Sequence, residues 1–107
     1  MTVSLDVEDG RITRYAQDVK ACALGQASAS VSGRAMIGRD LSEVRAARDQ
    51  LRAMLRDGGP VPDAPFEGLE VLTPARDYRN RHASILLALD ATVEALDSVF
   101  DKVLTAP

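Results

Sequence analysis

Between residues 22 and 31 the chain reads Cys22-Ala23-Leu24-Gly25-Gln26-Ala27-Ser28-Ala29-Ser30-Val31, and little except a tightly packed helix accommodates it. Leu24, Ala27, Val31 and Ala35 recur at helical spacing and define one apolar stripe. Ser28, Ala29, Ser30 and Ser32 keep the other faces thin, so neighbouring elements can come close. The spacing predicts a helix over about 24–37, with Gly38 as its stop. Cys22 stands just before that helix, where free backbone N–H groups and the dipole favour a thiolate. A thiolate is the form that binds metal or attacks sulfur. Taken alone, a single cysteine reads more simply as a small buried hydrophobe. A serine nucleophile is disfavoured, because no Gly-x-Ser-x-Gly elbow is present and one histidine does not define its base.

The flanking segments suggest what this helix packs against. Val3, Leu5 and Val7 alternate with polar residues, and Asp9-Gly10 suits a turn with positive φ. A hairpin over 2–19 follows, its second strand from Ile12 to Val19. Asp40-Leu41-Ser42-Glu43 is a capping box opening a helix over 41–57. Leu41, Val44, Leu51, Met54 and Leu55 lie on its inner face, and Gly58-Gly59-Pro60 ends it. Arg45, Arg48, Arg52 and Arg56 make an outer stripe, read as a solvated face in preference to a phosphate or partner site. Residues 66–72 suggest a short turn that Thr73-Pro74 breaks. A last helix, about 80–104, carries Ile85, Leu86, Leu89, Val93, Leu96, Phe100 and Val103 on one face. His82 belongs to that face, and by itself reads as a helix-start histidine partly packed there.

The expected fold is therefore α+β: a small antiparallel sheet against three helices, in one domain spanning 1–107. Hydrophobic residues make up 46% of the chain and only 4% are aromatic, so the core is aliphatic. A net charge of −3 argues against nucleic-acid or membrane attraction, and no apolar run approaches a membrane span. One cysteine excludes an internal disulfide, which places the chain in a reducing cytoplasm.

Several segments together resemble the NifU/IscU/SufU family of iron–sulfur cluster assembly scaffolds, specifically the NifU N-terminal domain. The Cys22–Ser30 stretch is similar to the segment bearing the second of that family's three cluster cysteines. Asp9-Gly10-Arg11-Ile12 resembles its first hairpin, and Ile37–Glu43 the opening of its next helix. Leu69–Arg76 resembles the Leu-x-x-Leu segment before its last cysteine. Arg79-Asn80-Arg81-His82-Ala83-Ser84-Ile85-Leu86 is similar to the motif Arg-x-Lys-Cys-Ala-Thr-Leu, with His82 where the cysteine stands.

The resemblance implies a scaffold, rather than an enzyme, that binds iron or accepts sulfur from a cysteine desulfurase and serves cluster-accepting apoproteins. It implies Cys22 and His82 as neighbouring ligands of an iron–sulfur cluster, for example [2Fe–2S], or of zinc. Two ligands fall short of the roughly four that zinc or a cluster takes, so weak binding is expected. Asp18 and Asp77 are further candidates that nothing in their spacing recommends. The alternatives are a zinc-dependent persulfide acceptor working through Cys22, or a metal-free interaction module; a homodimer is compatible with each. The family's first cysteine, in a loop before the first strand, has no counterpart here. The natural protein is therefore expected to extend upstream of Met1 and to carry another cysteine there.

Overall fold

A computed structural model describes residues 1–105, with side chains described for residues 1–99. The order is β1 (Thr2–Glu8), β2 (Arg11–Asp18), α1 (Ala23–Arg34), α2 (Leu41–Asp57), a 3-10 segment (Glu67–Asp77), a 3-10 turn (Arg79–Arg81) and α3 (His82–Thr105). β1 and β2 form the antiparallel hairpin, and Asp9 and Gly10 both adopt positive φ at its tip, 53° and 78°. The pairing Asp6↔Arg14 followed by Val7↔Ile12 leaves Thr13 as a bulge on β2. Val3, Leu5 and Val7 are half-buried, and β1 lies along α3. The hairpin is pinned to α3 by Tyr15, whose hydroxyl meets Thr92 Oγ1 at 2.9 Å.

α3 is the central element, with α1 on one flank and α2 on the other. Ile85, Leu86, Leu89, Val93 and Leu96 are buried as the spacing predicts. Phe100 and Val103 lie outside the residues whose side chains are described. α2 contributes Val44, Ala47, Leu51, Met54 and Leu55. Its N-terminus is closed by the predicted box: the Glu43 N–H donates to Asp40 Oδ1 at 2.8 Å, and the Asp40 N–H to Glu43 Oε1 at 3.3 Å. Gly58, at φ 67°, ends it. The arginine stripe is not simply solvated. Arg45 pairs with Asp97 at 2.9 Å, and Arg48 and Arg52 each reach Asp90 at 3.9 Å, so the stripe leans onto α3.

Three expectations need correcting. α1 ends at Arg34 rather than Ile37, because Met36 turns into the core, where it is fully buried. The chain then runs beside β2: the Gly38 N–H donates to Ile12 O (2.8 Å) and the Ile12 N–H to Arg39 O (2.9 Å). The face of α1 buried most deeply is Gly25, Ser28, Ala29 and Ser32, while Leu24, Ala27, Val31 and Ala35 are only half-buried at the core's margin. Finally, Thr73-Pro74 does not break the 67–77 segment. Proline's fixed φ suits a 3-10 turn, and Thr73 Oγ1 donates to Glu70 O at 2.7 Å.

Candidate functional site

The close approach of α1 to α3 builds the site. A Cβ on Gly25 would collide with Ser84 Oγ and lie 3.0 Å from the Ser84 carbonyl oxygen, so only glycine fits. One turn on, Ser28 Oγ donates to Ile85 O at 2.6 Å. This brings the first turn of α3 against the N-cap of α1, which is Cys22 in extended conformation. Cys22 Sγ lies 3.2 Å from Ser84 Oγ. The N–H groups of Gly25 and Leu24 face the sulfur without completing a cap hydrogen bond.

The Ser84 hydroxyl is the strongest influence on the thiol, followed by the Gly25 N–H; the Leu24 N–H and the Arg81 charge add to them. Partial desolvation opposes them, and the thiol settles at about 7 instead of 9.0. Near neutral pH, Cys22 is therefore substantially a thiolate. It is half-buried, at one side of a hollow of about 300 Å³ that Tyr78 and Arg81 also line.

His82 is not brought to this hollow. Residues two apart on a helix are turned by about 200° from each other, and Ser84 faces Cys22. The His82 ring is 5% exposed and faces the end of the 67–77 segment. Its Nε2–H donates to Arg76 O at 3.0 Å and Ala75 O at 3.2 Å. Since carbonyls only accept, Nε2 carries the proton. On that side His82 lines a second hollow together with Arg56, Asp57 and Arg79. Asp18 and Asp77 are both exposed at the ends of their elements. Among the described residues, no group of three or more His, Cys, Asp or Glu could hold a metal ion. One thiolate among the described residues does not fit a zinc ion or a cluster, which takes about four ligands. The sequence places Arg81 and Ser84 in the motif around His82 without giving them a role, and nothing in it singles out Tyr78. The available signal was helical phase: Arg81 and Ser84 are three apart and share a face.

No protein-family model matches the chain, and no curated protein sequence matches it. Among solved structures, it is similar to a nitrogen-fixing NifU-like protein (N-terminal) from Brucella abortus. The two share 46% identity and superpose with a TM-score of 0.89 over 94% of this chain and 69% of that chain. The chain therefore belongs to the NifU-like family of iron–sulfur cluster assembly scaffolds. Among the described residues, no helix is long and apolar enough to cross a membrane.

Proposed function

We propose that this domain serves iron–sulfur cluster assembly as a sulfur-accepting scaffold, with Cys22 as the acceptor. The observation that carries the reading is the placement of Cys22 at the α1 N-terminus, its Sγ 3.2 Å from Ser84 Oγ on the side of a hollow, surroundings that lower the thiol's pKa. A cysteine desulfurase would present sulfur as a persulfide on its own cysteine. The Cys22 thiolate attacks the outer sulfur of that persulfide. A new S–S bond forms, the donor's S–S bond breaks, and its electron pair leaves with the donor cysteine as thiolate. The outer sulfur keeps its proton, and there is no net oxidation or reduction. Arg81, which lines the same hollow, adds a smaller electrostatic stabilisation of the anion before attack. Cys22 then hands its sulfur onward, toward apoproteins that take clusters. It is a carrier in this scheme, not a catalyst. Iron is cargo in this scheme. A reducing cytoplasm suits a lone thiol of this kind.

Incubation with a cysteine desulfurase and L-cysteine, followed by mass spectrometry of the intact chain, tests the reading. The expected product carries one added sulfur, lost on reduction and absent in Cys22→Ser. A desulfurase that turns over while Cys22 stays unmodified refutes it.

A further inference from the structure

We propose that His82 is not a ligand for metal cargo but a positioning residue, a tie that holds Tyr78 and Arg81 against Cys22. The proposal rests on Cys22 as the working thiol. Four observations converge on it. The ring is buried, and its Nε2–H is shared between the Ala75 and Arg76 carbonyls. Those carbonyls end the 67–77 segment: Ala75 O also accepts the Tyr78 N–H at 2.9 Å, whereas Arg76 O sits in the last turn, where helical oxygens run out of partners along the chain. The ring therefore staples residue 82 back to 75 and 76, across the connection that contains Tyr78 and Arg81. Inside that staple, the Arg81 N–H donates to Tyr78 O at 2.8 Å, so both walls of the Cys22 hollow belong to one small closed unit. Finally, helical phase sends the ring to the opposite side of α3 from Ser84 and Cys22.

A ligand role would demand the reverse arrangement, with the ring on the Ser84 side and a nitrogen free toward the sulfur. His82 stands where sequence similarity suggests a ligand, yet the fold uses it as a donor to two carbonyls. Its effect on Cys22 is indirect, through the placement of the Arg81 charge.

The chain's single histidine and single cysteine make the test clean. In the ¹⁵N-labelled full chain, imidazole NMR should show the Nε2–H tautomer, and zinc(II) should leave both ring nitrogens unmoved. A zinc-dependent shift that disappears in Cys22→Ser would overturn the proposal. A second arm compares Cys22 alkylation by iodoacetate and by iodoacetamide, which differ in charge. Arg81 should favour the anionic reagent, so Arg81→Ala should lower the iodoacetate-to-iodoacetamide rate ratio by about threefold. His82→Ala should lower it similarly, and His82→Gln, which keeps a donor of similar reach, should recover part of it. An unchanged ratio in folded His82→Ala, or a His82→Gln ratio no higher than that of His82→Ala, alongside a lowered ratio in Arg81→Ala, would also overturn the proposal. Zinc affinity supplies a check on the same variants. Loss of even an outer-shell partner weakens a metal site by about 10–100-fold. Because the ring lies on the far side of α3 from Cys22, His82→Gln should bind zinc like the wild type, and a loss of more than about tenfold would count against the tie. None of these readouts depends on a desulfurase, so failure here and failure of sulfur transfer are distinguishable.

Discussion

Gly25→Ala gives the sharpest test of the α1–α3 contact. In an unobstructed helix this change stabilises by about 0.5–1 kcal/mol, because alanine leaves the unfolded chain less freedom to lose. Here the new methyl would lie 2.8 Å from Ala21 Cβ and 3.0 Å from the Ser84 carbonyl oxygen, and would collide with Ser84 Oγ. The hydroxyl can rotate away, but the carbonyl is backbone of α3 and cannot. Overpacking of this kind costs about 1–3 kcal/mol, so the expected net loss is about 1–2 kcal/mol. Gly33→Ala is the matched control. Its methyl would meet Gln17 Nε2 at 3.2 Å, the end of a flexible side chain, and its stability should stay within about 0.5 kcal/mol of wild type. Urea melts of both variants decide the matter. The double variant Gly25→Ala/Ser84→Ala should recover only part of the loss, since the carbonyl contact persists. Gly25→Ala should also raise the pH midpoint of Cys22 alkylation, because a displaced Ser84 hydroxyl no longer supports the thiolate. If Gly25→Ala proves as stable as Gly33→Ala, α1 and α3 are not as close as described, and the account of the site fails with them.

Other perturbations separate effects that look alike in sequence. Ser28→Ala should cost about 1 kcal/mol in a thermal or urea melt, since it removes the bond to Ile85 O. Ser32→Ala should be neutral or stabilising, because Ser32 Oγ is buried without a partner. Asp40→Ala should cost about 1 kcal/mol at neutral pH. The Glu43 N–H, then the Ser42 hydroxyl, hold the Asp40 carboxyl below its usual range, so its contribution is lost as pH falls through that lowered value. The wild type and Asp40→Ala should then converge in acid urea melts, and a constant gap would contradict the capping account. Arg52→Ala should change stability by less than about 0.5 kcal/mol, because its ion pairs are exposed and long. Iodoacetamide rates against pH should give Cys22 a midpoint of about 7, moving toward 9.0 in Ser84→Ala. Because the folded value is the lower one, the stability Cys22 contributes is present above pH 9.0 and lost as pH falls through about 7.

Local chemistry was legible in the sequence, whereas orientation between elements was not. Asp9-Gly10 and the Asp40/Glu43 box encode their geometry within a few residues, and both form as read. The stripe on α3 follows from periodicity alone, because that helix is wedged between two others. α1 deceived for a physical reason. Hydrophobicity marks Leu24, Ala27 and Val31, but the closest contact selects for small volume, and so for Gly25, Ser28 and Ser32. The end of α1 at Arg34 was equally hidden, because what draws the chain out of the helix is the distant backbone of Ile12. The position of Cys22 immediately before a helix was legible, and the structure places it at the α1 N-cap. His82 was recognised as packed, but its phase relative to Ser84 was not followed through, and that phase separates it from the thiol.

The pairing of Ile12 with Gly38 and Arg39 bears on how the domain opens and closes. It joins the start of β2 to the entrance of α2, with the rest of β2 and all of α1 as an excursion between the two clamped points. Arg11 reinforces the clamp, donating to Gly38 O at 2.8 Å and to Glu43 Oε1 at 3.0 Å. The ends of the excursion are thus held together independently of whether α1 is docked. Once the clamp has formed, the loop-closure entropy for α1 has largely been met, and the helix carrying Cys22 can detach and return as a sub-global unit. In hydrogen exchange, the amides of Ile12 and Gly38 would then belong to a slower class than those of α1. The thiol would sit on a helix whose two ends stay tethered whether or not it is docked.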